Sequence, residues 1–201
     1  LTVNGSGTVA YDVGVGKTMT AILAMAQALY TGQCKRPLVI VPNPTYKKWI
    51  AETVGILNED GTFKVHGVLP QYANRINDFY NLGVGIEDKL ADRWPRDYTI
   101  TFITYEGLLK LGLSQAVRES LGTELFTILQ QGNLEARDVE KLREEIDSIV
   151  GNMNSDVIAN FDDLGFDYIV TDEAHNFKKI FTRVQGRKAD NGEKQSSPYQ
   201  I

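Results

Sequence analysis

The segment Gly7-Thr-Val-Ala-Tyr-Asp-Val-Gly-Val-Gly-Lys-Thr18 decides the fold of this chain. Its first six residues, Gly7 to Asp12, are short, apolar and contain β-formers, so they predict a buried strand. A glycine-containing loop follows, and an amphipathic stretch then predicts a helix from Lys17 to about Tyr30, ended by Gly32. The apolar side chains expected on its buried face are Met19, Ile22, Leu23, Ala26 and Tyr30.

Further apolar runs have the length of strands that are buried on both faces. They are Pro37–Pro42, Tyr98–Thr104 and Phe166–Thr171. Between them the pattern predicts a helix over Tyr46–Leu57, a strand around Phe63–Leu69 and one or two helices before Asp97. Strands that alternate with helices predict an α/β fold with a parallel sheet.

Residues 114–161 interrupt this alternation with a purely helical pattern. One apolar stripe is formed by Val117, Leu121, Leu125 and Ile128. After Gly132-Asn133, a second stripe is formed by Val139, Leu142, Ile146, Ile149, Met153 and Val157. We predict a helical hairpin inserted into the α/β domain, which packs on the domain or on itself, or alternatively docks a partner. Residues 178–201 are rich in charge, Gly, Ser and Gln and predict a mobile basic and polar tail.

Length and composition limit the class of protein. The 201 residues amount to about one domain, with a net charge of −5 that excludes nucleic-acid binding over the whole surface but allows a local basic patch. A single cysteine, Cys34, excludes a disulfide framework and predicts a reducing, intracellular setting. No apolar run approaches the roughly 18 residues of a membrane span, and no signal peptide is seen. Because the chain starts at Leu1 rather than Met, we expect a piece of a longer protein.

The loop before the first predicted helix has the chemistry of a phosphate site. Gly14, Val15 and Gly16 would present backbone N–H groups, and the helix that follows would add its positive end. Lys17 would reach the β- and γ-phosphates, and the Thr18 hydroxyl would bind Mg²⁺. In the general pattern G-x-x-x-x-G-K-[ST] a glycine stands where this chain has Tyr11. An ordinary strand–turn–helix connection is therefore the alternative for this segment taken alone.

The tetrapeptide Asp172-Glu173-Ala174-His175 follows the last predicted strand. An acid at the carboxyl end of a parallel strand would lie beside the phosphate loop. We expect Asp172 to hold Mg²⁺ and Glu173 to orient and deprotonate the attacking water. His175 is a further nucleotide-contacting candidate, and a solvated turn is the alternative. Together the two segments predict ATP and Mg²⁺ as cofactors.

These segments resemble a known family. The pair DVGVGKT (12–18) and DEAH resembles the superfamily-two helicases and translocases. PLVIVPNPTYKKWIAE (37–52) and the Thr104-Tyr-Glu106 that ends a strand resemble the Swi/Snf-type members. FDDLGFDYIVTDEAHNFKKIF (161–181) resembles the Swi/Snf-like module of large phage and plasmid polyvalent proteins. Those proteins often combine the module with adenine-specific DNA methylase domains, some linked to protection against restriction.

The resemblance implies the amino-terminal RecA-like lobe of a two-lobe motor that uses ATP and tracks duplex DNA. The implied setting is the bacterial cytoplasm or a phage-borne protein, with no membrane. DNA contacts are expected at Lys47, Lys48, Thr104 and Tyr105, with an ordinary helix surface as the alternative for the two lysines. In the tail, either DNA contacts or a solvated loop would account for the basic residues Lys178, Lys179, Arg183, Arg187 and Lys188.

The chain also departs from the family. No glutamine precedes Gln27, although the family reads adenine with one upstream of the phosphate loop. Residues 177–201 show nothing like the Ser/Thr-Ala/Gly-Thr motif that couples hydrolysis to DNA. The second lobe with its arginine fingers is missing from these residues, so we expect the chain alone to hydrolyse ATP very slowly. A different P-loop phosphotransferase and a non-catalytic scaffold are the competing interpretations.

Overall fold

The computed structural model describes residues 6–10, 14–80, 90, 94–130 and 157–177. In chain order the helices and strands are α1 (Lys17–Tyr30), β1 (Pro37–Val41), α2 (Tyr46–Val54), β2 (Gly55–Leu57), β3 (Phe63–His66), β4 (Ile76–Asp78), β5 (Ile100–Thr104), α3 (Tyr105–Leu108), β6 (Leu111–Gly112), α4 (Gln115–Gln130), β7 (Ala159–Asn160) and β8 (Tyr168–Thr171). None of the helices in these ranges is long and apolar enough to cross a membrane.

The centre of the fold is a parallel sheet with the strand order β4-β5-β1-β8. Val39 of β1 pairs with Phe102 of β5 on one side and with Val170 of β8 on the other. Every residue of β1 and β5 is buried, because apolar layers cover both faces of the sheet. Alternate residues of β1 enter different layers, Val39 on the side of α1 and α2 and Leu38 on the side of α3. The predicted α/β fold with a parallel sheet is therefore confirmed.

Helix α1 spans the predicted residues, and Gly32 follows it in a left-handed conformation with φ of 72°. The predicted buried face was wrong in part, because only Ile22 and Ala26 of its five residues face the core. Ile22, Met25, Ala28 and Leu29 are buried, whereas Met19, Leu23 and Tyr30 are exposed, Tyr30 to 88%. An almost wholly apolar helix offers two stripes at helical spacing, and only its packing against α2 and β8 selects one of them.

The strand predicted at Gly7–Asp12 is absent from its described part. Residues 6–10 have no regular secondary structure and are mostly exposed, and residues 11 and 12 lie outside the described ranges. A strand forms only where its backbone N–H and C=O groups find a paired edge. An apolar run of this length therefore indicates strand propensity without deciding whether a partner is available.

The segment after β1 also differs from the prediction. Helix α2 ends at Val54, three residues early, because Gly55 has φ of 93° and begins an antiparallel hairpin in which Ile56 pairs with Val65. The strand predicted at Phe63–Leu69 is β3, which is shorter. Strand β4 was not predicted. Of the helices expected before Asp97, the described ranges contain one α-helical residue, Leu90, and a 3₁₀ turn at Pro70–Tyr72.

The insertion at 114–161 begins with the predicted helix, α4. Its second stripe and Gly132-Asn133 lie outside the described residues, apart from Val157. Residues 159–160 form a strand rather than a helix, because Leu111 of β6 pairs in parallel with Ala159 of β7. The backbone N–H of Ser114 also donates to Asp162 Oδ1 at 2.8 Å. The two ends of the insertion therefore meet at one small sheet, and the hairpin itself stays a prediction.

Candidate functional site

The predicted phosphate loop turns into α1 through two glycines in the left-handed region. Gly14 has φ of 86°, and Gly16, the N-cap of α1, has φ of 89°. A Cβ at either position would meet nothing within 4 Å, so glycine is needed for its backbone conformation rather than for space. The first i→i−4 bond of the helix runs from Thr20 N to Gly16 O at 2.9 Å. At a helix start the first backbone N–H groups have no acceptor within the helix, which is why such ends can bind anions.

The course of α1 places this loop at the carboxyl edge of the sheet. The helix leads through Cys34 into the start of β1, so its last turn lies at the opposite, amino edge. Its 14 residues span about 21 Å, which carries the first turn across the sheet. Met19 also lines an open groove together with Lys48 and Glu52 of α2. The first turn of α1 therefore lies near Lys48 and Glu52 of α2.

Asp172 lies at the same edge, directly after β8. Its backbone N–H donates to Ile40 O at 2.9 Å. Its carboxylate oxygen Oδ2 accepts from the indole Nε1 of Trp49 at 2.9 Å. The indole is 3% exposed. One contact thus joins the buried side of α2 to the first residue of the Asp-Glu-Ala-His segment.

Tyr105 holds the backbone of this segment. Its hydroxyl donates to the carbonyl oxygen of Asp172 and lies 3.2 Å from that of Glu173. Glu173 has φ of 55°, which is unusual for a residue other than glycine. Conformations of this kind persist where the surroundings impose them and are frequent at functional sites.

Thr104 and Tyr105 were expected to contact DNA, and their burial changes that assignment. Both side chains are buried, Thr104 to 2% exposure, and Thr104 Oγ1 caps α3 by accepting from Gly107 N at 3.0 Å. Neither side chain is on the surface, so both position the strand-end loops. Lys47 and Lys48 are exposed, and Lys48 Nζ lies 3.6 Å from Glu52 Oε1. The basic residues of the tail lie outside the described ranges.

Glu173 and His175 contact each other at the surface, which the sequence did not predict. His175 Nδ1 lies 2.9 Å from Glu173 Oε2, and both side chains are more than half exposed. Exposed pairs contribute little stability, typically below about 1 kcal/mol. The pair instead limits the orientations of the Glu173 carboxylate, the proposed base.

Two more clusters were missed, because each joins residues far apart in sequence. At the carboxyl edge, the Tyr46 hydroxyl lies 2.7 Å from Asp78 Oδ1 and 2.9 Å from Phe102 O, and burial raises the pKa of Tyr46. At the amino edge, Asp167 accepts from the backbone N–H of Lys35 and of Arg36, each at 2.8 Å. Burial, with Asp167 as a further cause, raises the pKa of Cys34, so the thiol stays neutral.

The donor set fits ATP with Mg²⁺. The described residues contain no group of three His, Cys, Asp or Glu side chains that would hold a metal by themselves. Mg²⁺ in phosphate sites typically needs no such cage, because one or two protein oxygens suffice and phosphates and waters supply the rest. The Asp172 carboxylate and the Thr18 hydroxyl, one residue into α1, are oxygen donors of this kind.

A mainly parallel α/β sheet with a glycine loop at the start of α1 and an acid after β8 is the architecture of a RecA-like P-loop lobe. The chain belongs to the SNF2-related domain family, which it matches over residues 2–187. This family comprises amino-terminal lobes of superfamily-two helicase-type motors. No solved structure matches the chain significantly.

Proposed function

We propose that this chain is the ATP-binding and ATP-hydrolysing lobe of a DNA translocase. The observation that carries the proposal is the meeting of two elements at one sheet edge. Met19, in the first turn of α1, lines a groove with Lys48 and Glu52 of α2, and α2 is hydrogen-bonded through Trp49 to Asp172 after β8. Ligands of parallel α/β sheets bind at this edge, where strand ends and helix starts converge.

The nucleotide would be held mainly through its phosphates. Backbone N–H groups of Gly14, Val15 and Gly16 would surround the phosphate oxygens, and the end of α1 would add its positive field. The Lys17 ammonium would neutralise charge on the β- and γ-phosphates. Thr18 and Asp172 would supply the two protein oxygens for Mg²⁺, which when bound screens the phosphate charge.

Hydrolysis requires a water in line with the γ-phosphate and a base to accept its proton. Glu173 is the residue we assign as that base, because it follows the metal-holding acid and carries an exposed carboxylate. His175 contacts one oxygen of that carboxylate, which restricts its rotation. The other oxygen would accept the proton of the water as the water attacks the γ-phosphate. Because Tyr105 fixes both carbonyls, Asp172 and Glu173 keep a constant mutual placement.

The partners proposed are duplex DNA and a second RecA-like lobe. Lys47 and Lys48 are exposed on α2 and suit a phosphate backbone. Arginines of a second lobe would stabilise the transferring phosphoryl group, an effect of roughly 10³–10⁵ in rate. We therefore propose that this chain alone turns over very slowly. Membership of a phage or plasmid polyvalent protein with methylase domains remains part of the proposal.

Binding of a fluorescent ATP analogue with Mg²⁺ tests the proposal without a second lobe. Lys17→Ala should lower its affinity by at least tenfold, since a charge-assisted contact contributes roughly 1.5–3 kcal/mol. Lys35→Ala is the matched control, because Lys35 is an exposed lysine at the opposite edge of the sheet. Equal affinities of the two variants and the unaltered chain would contradict a nucleotide site at this loop.

A further inference from the structure

We propose that Trp49 is a positioning residue for the carboxylate of Asp172. Its indole N–H holds Oδ2 and thereby fixes the orientation in which that side chain meets Mg²⁺. The inference rests on the proposed function, because it takes Asp172 as the metal-holding acid. It adds a residue on a different element, 123 positions away in the sequence.

The hydrogen bond between the Trp49 indole and Asp172 is strongly favoured by the chemistry and the burial of the indole. Indole Nε1 is a donor only, and Trp49 is 3% exposed, so water cannot replace a lost partner. Among the described residues, Asp172 is the acceptor of this N–H. A buried donor left unpaired carries a desolvation cost, and a carboxylate acceptor makes the bond stronger than a neutral one would.

Three separate elements together restrain Asp172. Ile40 of β1 accepts its backbone N–H, and Tyr105 of α3 donates to its carbonyl oxygen. These two bonds place the backbone but leave the side-chain torsions free. Among the described residues only Trp49 donates to the carboxylate, so only this contact selects its rotamer.

A metal-holding carboxylate depends on such a partner for its affinity. Hydrogen bonds to ligand groups orient them, and their removal typically costs about 10–100-fold in metal affinity. Loss of the Trp49 N–H should therefore weaken Mg²⁺ binding. It should leave the metal-free contacts of nucleotide phosphates with Lys17 and the glycine loop unaltered.

The experiment separates metal from nucleotide affinity. Mg²⁺ is titrated against the chain saturated with a fluorescent ATP analogue, and the analogue is titrated separately in EDTA. Trp49→Phe should raise the Mg²⁺ midpoint about 10–100-fold and leave affinity in EDTA unchanged. Trp94→Phe, at the other and more exposed tryptophan, is the matched control. Replacement of Trp49 by benzothienylalanine keeps the ring volume without the donor, so the test survives if the phenylalanine variant folds poorly.

An independent readout follows the hydrogen bond itself. The chain contains two tryptophans, so its ¹⁵N spectrum shows two indole N–H signals, which Trp94→Phe assigns. Asp172→Ala should shift the Trp49 signal and leave that of Trp94 in place. An unmoved Trp49 signal, or equal Mg²⁺ midpoints for the Trp49 and Trp94 variants, would overturn the inference. Absence of Lys17-dependent nucleotide binding would instead overturn the proposed function, and the indole signal would still report whether Trp49 holds Asp172.

Discussion

Gly55 is the residue whose replacement the structure predicts to be most damaging to the packing of the β2–β3 hairpin against α2. It has φ of 93°, and a Cβ there would lie 2.4 Å from Val65 O and 2.8 Å from Gly67 N. Both atoms belong to the backbone, so no side-chain rotation relieves the overlap. Gly55→Ala therefore forces Val65 of β3 and Gly67 away from Gly55, at the point where the hairpin joins α2.

Two other glycines of this region separate the two costs of an alanine at Gly55, which are left-handed backbone strain and overlap with neighbouring backbone atoms. Gly61 has φ of 82° with nothing near its virtual Cβ, so Gly61→Ala carries backbone strain alone. Gly67 lies outside the left-handed region, but its virtual Cβ would lie 2.4 Å from Gly55 N, so Gly67→Ala carries overlap alone. Left-handed strain costs about 1–2 kcal/mol, and overpacking typically costs about 1–3 kcal/mol. Gly55→Ala combines both and should cost about 3–4 kcal/mol.

Urea unfolding of the chain, followed by the fluorescence of buried Trp49, measures these free energies. Gly61→Ala should lose about 1 kcal/mol, since alanine also restricts the unfolded chain and offsets part of the strain. The loss of unfolding free energy in Gly67→Ala should be larger than in Gly61→Ala and no larger than in Gly55→Ala. If Gly55→Ala unfolds within about 0.5 kcal/mol of Gly61→Ala, a difference that surface substitutions alone produce, the overlap argument is refuted.

Two further predictions concern the proposed chemistry and the insertion. Glu173→Gln should preserve binding of the fluorescent ATP analogue and abolish phosphate release in single-turnover assays, because it removes the base and keeps the shape of the side chain. Glu119→Gln on α4 is the control. Phosphate release by Glu173→Gln equal to that of the control would argue against Glu173 as the base. Replacing residues 115–156 by a Gly/Ser linker of about ten residues should leave a folded chain with unchanged nucleotide affinity. Strands β6 and β7 pair in parallel and hold the two ends of the insertion together. A linker that joins them has to run back over the length of one two-residue strand, about 7 Å. Circular dichroism and the same binding assay check this, and an unfolded product would show that the insertion belongs to the core.

The sequence by itself determined the elements whose cause is local. β1, β5 and β8 were predicted from continuous apolar runs of strand length. Burial of every residue holds for β1 and β5 but not for β8, which lies at the end of the described strand order and exposes Ile169 to 53%. Helix α1 was predicted to both ends because a glycine loop starts it and Gly32 stops it. The candidate residues of the phosphate loop and of the Asp-Glu-Ala-His segment came from motifs whose spacing is also local. Each of these inferences uses residues within one or two turns of one another.

Only the tertiary structure decided the features that join distant residues. It selected Ile22, Met25 and Leu29 as the buried stripe of α1, because the packing partners of a helix are not encoded in its periodicity. It ended α2 at Gly55, whose close approach to Gly67 is invisible in the sequence. It brought the indole of Trp49 to the carboxylate of Asp172. The physical reason is that such contacts depend on how whole elements pack, whereas strand and helix patterns depend on neighbours along the chain.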